Sequence, residues 1–315
     1  MSFVSFETEG RKSYGVWQDE RTWLEAPADF QAKYPDLKSV IAANQLDALD
    51  AVTRQMGHVV SADQARLLPV IANPGKIFCV GLNYKTHVAE MKRPDSEHPA
   101  IFTRFADSLN AHNAPLPKPK ATQRFDFEGE LAVIIGQGGR NISQADAWQH
   151  IAGYACFNDG TARDWQRHTH QWTPGKNFPG TGPLGPFMAT RDAIPDVNQL
   201  TLESRLNGEV MQHASVADLI FTLPVIIEYL SGFTTLSPGD VIATGTPAGV
   251  ALKVPGKAKM FISKFLSPKK RFMMFLKGQL QNPRYLKPGD VVECSIATAD
   301  GQMDLGRQRT VVRAA

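Results

Sequence analysis

At 315 residues the chain can bury a substantial core as one large domain or two of ordinary size, and with 43% hydrophobic and 21% charged residues its composition is that of an ordinary globular protein. The net charge of +3 hides an asymmetry: residues 255–288 hold nine Lys or Arg and no acid, so the rest of the chain carries −6, which argues against a uniformly basic nucleic-acid binder. No run of about 18 apolar residues marks a membrane span, and MSFVSFETEG lacks the basic start and apolar stretch of a secretory signal, so a cytoplasmic location without stable membrane association is expected.

In chain order, residues 1–72 read as short strands around a Gly turn and a helical stretch over 29–56, ending in the apolar LLPVIA, and form a small N-terminal domain. Asn73, Pro74 and Gly75 punctuate the chain before the strand KIFCVG. Asn83 is placed to cap a short helix that Pro94 ends, which sets His87 and Glu90 three apart on one face. A carboxylate beside an imidazole orients the ring and leaves its other nitrogen free to move a proton; a weak surface pair is the plainer alternative.

Asp126, Glu128 and Glu130 alternate in RFDFEGELAVIIG, so a single strand would project three carboxylates from one face. Like charges so close repel unless a cation or proton lies between them, and hard oxygen donors suit Mg²⁺, Mn²⁺ or Ca²⁺; a solvated acidic face is the alternative. GQGGR reads as a hairpin turn after that strand rather than a phosphate loop. An apolar strand then ends at Asp159, followed by a turn bearing Arg163, Asp164 and Gln166. Lys176 follows in a Gly- and Pro-rich loop, where a cation can face an anionic substrate.

Ser143 with Asp146 and Ser215 with Asp218 resemble helix starts, Asn207-Gly208 is a type I′ hairpin signal, and SPGDVIATG and KPGDVVECS share a Pro-Gly-Asp turn entering a strand. Cys79, Cys156 and Cys294, far apart and flanked by apolar residues, read as buried thiols. His168 and His170 lack a partner set for zinc, although His170 or Gln171 is placed to line a pocket; Trp165 and Trp172 read as packing residues.

The runs CVGLNYKTHVAE, DFEGELAVIIG, GYACFNDGTARDWQ, GKNF, LGPF and GDVIATGTPAGV, in that order, resemble the fumarylacetoacetate hydrolase family over about residues 70–255 and 284–312, while the first 70 residues match in general character only. The resemblance implies a β-rich α+β fold: a mixed β-sandwich roll at 73–315 behind the small N-terminal α+β domain at 1–72. It implies a homodimer holding a divalent ion, Mg²⁺ or Mn²⁺ with Ca²⁺ as an alternative, and acting on a small 2-oxo or diketo acid. Glu128, Glu130 and Asp159 fall on metal-ligand positions, with Asp126 beside them in a supporting place. His87 and Glu90 match a water-activating dyad. Lys176, Arg163 and Gln166 match positions that hold substrate oxygens or steady negative charge, Thr246 matches a substrate-carboxylate contact, and Arg104 lies near a position often basic.

The leading expectation is hydrolysis of a carbon-carbon bond in an acylpyruvate or related 2,4-diketo acid, with His87 activating water. Oxaloacetate decarboxylation and isomerisation or hydration of unsaturated 2-oxo dicarboxylates use the same site, and a non-catalytic binding protein is the reading from another class. The basic stretch at about 256–283 departs from the family pattern. It mixes Phe and Met with Lys and Arg, as a lid, an oligomer contact, an anionic-surface patch or an excursion packed on the body would; the packed excursion is preferred to membrane binding.

Overall fold

Short runs of Val, Ile, Phe and Trp between Gly, Pro, Asn and Asp turns fold as strands, as branched and aromatic side chains favour. The computed structural model describes residues 1–92, 94, 96–254, 256, 265–279 and 282–315. Residues 1–72 supply β1 (Ser2–Thr8), β2 (Arg11–Trp17), β3 (Thr22–Glu25), then α1 (Ala28–Lys33), α2 (Leu37–Ala42), α3 (Leu46–Met56), β4 (His58–Ser61) and β5 (Ala65–Leu67). The single helical stretch expected over 29–56 is thus three pieces. Asp36 divides the first two: its carboxylate accepts from the Ser39 N–H at 2.7 Å while the Ser39 hydroxyl accepts from the Asp36 N–H, a reciprocal cap that starts α2 afresh.

Next come β6 (Ile77–Gly81), α4 (Lys85–Met91), β7 (Ala100–Arg104), β8 (Leu109–Asn110), β9 (Leu116–Lys118), β10 (Phe125–Asp126), β11 (Gly129–Ile135), β12 (Ile151–Asn158), β13 (Thr161–Ala162), α5 (Thr173–Lys176), β14 (Gly182–Pro183) and β15 (Met188–Thr190). The last third holds β16 (Thr201–Leu206), β17 (Glu209–Ser215), α6 (Leu223–Phe233), β18 (Val241–Ala243), α7 (Pro268–Gln279), β19 (Val291–Ala297) and β20 (Asp304–Ala314). Asn207 and Gly208 both take positive φ between β16 and β17, as the hairpin signal requires. The two Pro-Gly-Asp turns are alike: Asp240 accepts from the Ser237 N–H and Asp290 from the Lys287 N–H, each just ahead of its strand. Ser215 begins only a single 3₁₀ turn, Ser143 accepts from the Asp146 N–H in a turn ahead of another, and β11 reaches β12 through residues 136–150 rather than a tight hairpin.

Among the described residues the main sheet has eleven strands in the order β4-β3-β2-β1-β15-β12-β11-β18-β6-β7, with β5 on β1; a second runs β17-β16-β19-β20-β9. Phe3 pairs with Met188 and Ser2 with Ala189, so the strands of residues 1–72 continue in the sheet built after residue 73. β11 is buried on both faces. Leu131, Val133 and Ile135 pack with Leu202, Ile296 and Leu305 of the second sheet, whereas Ala132 and Ile134 pack with Ile77, Phe157 and, beyond them, Leu37, Val40 and Leu49 of α2 and α3. This sandwich is the β-rich α+β fold that the resemblance implied.

Candidate active site

The acidic strand is broken where the sequence suggested continuity. Asp126 ends β10, which pairs with β13, while Glu130 belongs to β11, which pairs with β12. The Asp126 carboxylate consequently turns away from its neighbours, accepting from the backbone N–H groups of Ala251 (2.8 Å) and Leu252 (3.0 Å) and pairing with Arg163 Nε at 2.7 Å. Glu128 and Glu130 converge instead with Asp159 at the end of β12: one oxygen of each lies within 4.8 Å of the others, and all three residues are buried.

Fixed cations hold this cluster. Arg163 Nη2 lies 2.6 Å from Glu128 Oε1, and Arg104 Nη1 lies 2.5 Å from Asp159 Oδ1. Lys176 Nζ bridges Glu128 Oε2 and Asp159 Oδ2. Lys176 is not a loop lysine, for it ends α5 and is 1% exposed. Burial opposes its charge, but Asp159 and Glu128 outweigh burial and raise its pKa, so it is a permanent cation rather than a base. Burial likewise pushes Glu128 up, and Arg163 and Lys176 outweigh it and hold the carboxyl far below its ordinary range.

Glu130 has no such partner among the described residues. It accepts one hydrogen bond, from the Gly245 N–H at 2.9 Å, and burial together with Asp159 and Glu128 drives its pKa well up. Gly245 reaches it because φ there is +104°, and an added Cβ would stand 2.8 Å from the Val80 carbonyl oxygen. A buried carboxylate beside two others, with no counter-ion of its own, is the donor set a divalent cation fits. Asp126, Glu128, Glu130 and Asp159 against Arg104, Arg163 and Lys176 leave one excess negative charge, which a dication turns to one positive charge facing an anionic substrate.

His87 and Glu90 meet in α4, with His87 Nδ1 3.1 Å from Glu90 Oε2; Glu90 also accepts from the Gly249 N–H at 3.3 Å. The cap is not Asn83. Tyr84 occupies that position without a side-chain bond, and buried Asn83 spends its amide on Phe221 and Thr244, tying α4 to the turn that carries Gly245. Nor does Pro94 end the helix: Lys92 does so in the left-handed conformation.

A cavity of about 980 Å³ joins these groups, lined among others by His87, Glu128, Glu130, Asp159, Arg163, Gln166, Lys176 and Thr246. Gln166 accepts from Arg163 Nη1 at 3.1 Å, and the Thr246 hydroxyl donates to the Gly129 carbonyl (2.9 Å) while accepting from Gln212 (2.6 Å). Arg104 is not part of this wall; it lies behind Asp159, fastened also to Ser108 and Thr181. His168, His170 and Gln171 line the cavity, and so does Trp172, against which Gly81 leaves no room for a Cβ. The sequence offered no signal for Met91 or Phe102, ordinary apolar residues that distant segments bring to the wall; the basic stretch near 256–283 was singled out, and α7 within it lines the cavity, while 257–264, 280 and 281 of it lie outside the described residues.

Residues 76–313 match the family model of the fumarylacetoacetate hydrolase C-terminal domain. The chain belongs to the fumarylacetoacetate hydrolase family and is an enzyme of that family. It is 38% identical over 241 residues to a mitochondrial oxaloacetate tautomerase of Xenopus laevis, covering 76% of this chain and 67% of the relative, and 41% identical over 194 residues to an oxaloacetate tautomerase of Bacillus subtilis, covering 60% and 64%. A solved fumarylacetoacetate hydrolase from Exiguobacterium antarcticum superposes with a TM-score of 0.77 at 32% identity, covering all of both chains. No helix among the described residues is long and apolar enough to cross a membrane.

Proposed function

We propose that the protein interconverts the enol and keto forms of a 2-oxo dicarboxylic acid, with oxaloacetate as the first substrate to test. The observation that carries this reading is His87, which stands on the wall of the cavity that also holds the three carboxylates and whose Nδ1 is paired with Glu90. Relatives named as oxaloacetate tautomerases move the weight from carbon-carbon hydrolysis toward proton transfer. Glu128, Glu130 and Asp159 would hold Mg²⁺ or Mn²⁺, with Ca²⁺ the softer fit for so tight a set, and a bound dication supplies Lewis acidity toward the 2-oxo and carboxylate oxygens.

The chain's own groups then move one proton. Glu90 accepts from His87 Nδ1–H and fixes the tautomer, leaving Nε2 to take the proton from the enol oxygen and return it to the adjacent carbon. Lys176 and Arg163 steady the negative charge that develops between those two events, Gln166 and Thr246 bound the substrate's oxygens, and Arg104 positions Asp159. Base catalysis of this kind supplies about 10² to 10⁴ in rate.

Hydrolysis of an acylpyruvate is the second reading, favoured by the full-length likeness to a fumarylacetoacetate hydrolase and by a dyad equally able to deprotonate water. Chelator-stripped protein with Mg²⁺ or Mn²⁺ restored, offered oxaloacetate and acylpyruvates with products identified, separates them. Faster keto–enol equilibration without bond cleavage supports the first; release of pyruvate and a carboxylic acid overturns it in favour of the second.

The homodimer belongs to the same proposal, and a monomer by light scattering would sink it. A cytoplasmic location is likewise proposed, with the compartment of the Xenopus relative as its competitor, and cell fractionation decides between them.

A further inference from the structure

We propose that α7 is the wall that selects substrates, with Lys269 and Arg271 binding the far carboxylate of a 2-oxo dicarboxylic acid longer than oxaloacetate. This rests on the assignment of a 2-oxo acid to the cavity. Pro268, Arg271, Phe272 and Phe275 recur at the spacing of one helical face, and with Lys269 they line the same cavity as Glu128, Glu130 and Asp159. Lys270, Met273 and Lys277 are exposed and do not line it.

Contacts with the body fix the rotation of the helix. The Arg167 guanidinium lies 4.5 Å from the centre of the Phe275 ring, and the His168 ring meets Phe272 edge-on at 5.7 Å. Arg124 donates to the Leu276 carbonyl at 2.9 Å. At the C-terminal end Gln279, 3% exposed, donates to the Lys253 carbonyl at 2.7 Å and accepts from the Tyr285 hydroxyl at 2.9 Å. These bonds bring the aromatic side chains against the cavity and set two cations on the same wall.

The acids of that space, Glu128, Glu130 and Asp159, are met by Arg163 and Lys176, whereas α7 contributes Lys269 and Arg271 together with Phe272 and Phe275, and the turn at 165–167 adds Arg167. Among the described residues Lys269 has no ion-pair partner. About 980 Å³ is room for a ligand far larger than oxaloacetate, and Phe272, Phe275 and Met91 give its wall apolar surface.

The test is calorimetric binding of 2-oxoadipate and 2-oxohexanoate, equal in chain length and differing at the far end in a carboxylate against a methyl group, to Mg²⁺-restored protein. Two exposed cations on the cavity wall should give the wild type about a tenfold preference for the dicarboxylate. In the double variant Lys269→Gln/Arg271→Gln the preference disappears while 2-oxohexanoate binds as before. The control Lys270→Gln/Lys277→Gln removes the same charge from residues off the cavity and keeps the preference. Equal binding of the two acids by the wild type, binding of neither, survival of the preference in the first variant or its loss in the control would each overturn the proposal. Because no turnover is read, absence of tautomerisation counts against the function assigned above and not against this wall.

Discussion

Arg163 Nη2 lies 2.6 Å from Glu128 Oε1, and both side chains are sealed from solvent. The same guanidinium holds Asp126 through Nε, so one cation bridges two buried acids, Asp126 at the end of β10 and Glu128 in the gap before β11. Removing one partner of a buried pair leaves the other uncompensated, which costs about 3 to 5 kcal/mol. Arg163→Met should lose that much in urea unfolding of the metal-free protein; a loss under about 1 kcal/mol would show that the acids take up protons or water at little cost.

Glu130 predicts the opposite behaviour. Its charge is disfavoured by burial, Asp159 and Glu128, so Glu130→Gln should leave metal-free stability unchanged or raised. Mn²⁺ affinity should fall by more than about 100-fold, since even partners one step removed from a metal cost 10 to 100-fold. Urea unfolding reads the first half and titration calorimetry the second, and wild-type affinity in this variant would remove Glu130 from the ligand set.

For the dyad, His87→Ala should lower turnover by about 10² to 10⁴ with metal affinity intact. Glu90→Gln should fall less far, since it keeps an acceptor for Nδ1–H while losing charge. Full activity of His87→Ala would end its role in proton transfer.

Acid should loosen the molecule at His112. Burial, aided by Arg309, lowers its pKa to about 4, and its Nδ1 accepts from the Arg309 N–H at 3.1 Å. The neutral ring is favoured in the folded state, so its contribution is whole above the unfolded value near 6.5 and is lost as pH falls toward 4. The loss should be about 2 kcal/mol. Urea midpoints of wild type and His112→Leu between pH 7 and 4 check this: the variant should show the flatter profile, and parallel profiles would contradict it.

The arrangement of the candidate site was legible where it rests on residue type and local order. The approach of Glu128, Glu130 and Asp159, and of His87 to Glu90, followed from motifs a few residues long. What failed was backbone detail decided by distant partners. Asp126 leaves its neighbours because Ala251 and Leu252 present N–H groups from far along the chain, and Asn83 abandons the cap because Phe221 and Thr244 compete for its amide. Lys176 read as a loop cation facing substrate because Gly and Pro surround it; burial against two acids is invisible until β11, β12 and α5 meet. The break between α1 and α2 was local, however, and the Asp36–Ser39 cap was there to be read.

The pairing of Phe3 with Met188 sets a schedule for synthesis. β1 finds that neighbour only after some 185 further residues have been made, about ten to forty seconds at 5 to 20 residues per second. Throughout that interval the nascent hairpin of β1 and β2 carries an edge that β5 covers at Phe6–Thr8 and that stays open at Ser2 and Phe3. β1 is thus made long before its open edge is sealed, and slow translation before residue 190 prolongs its exposure to stray strands.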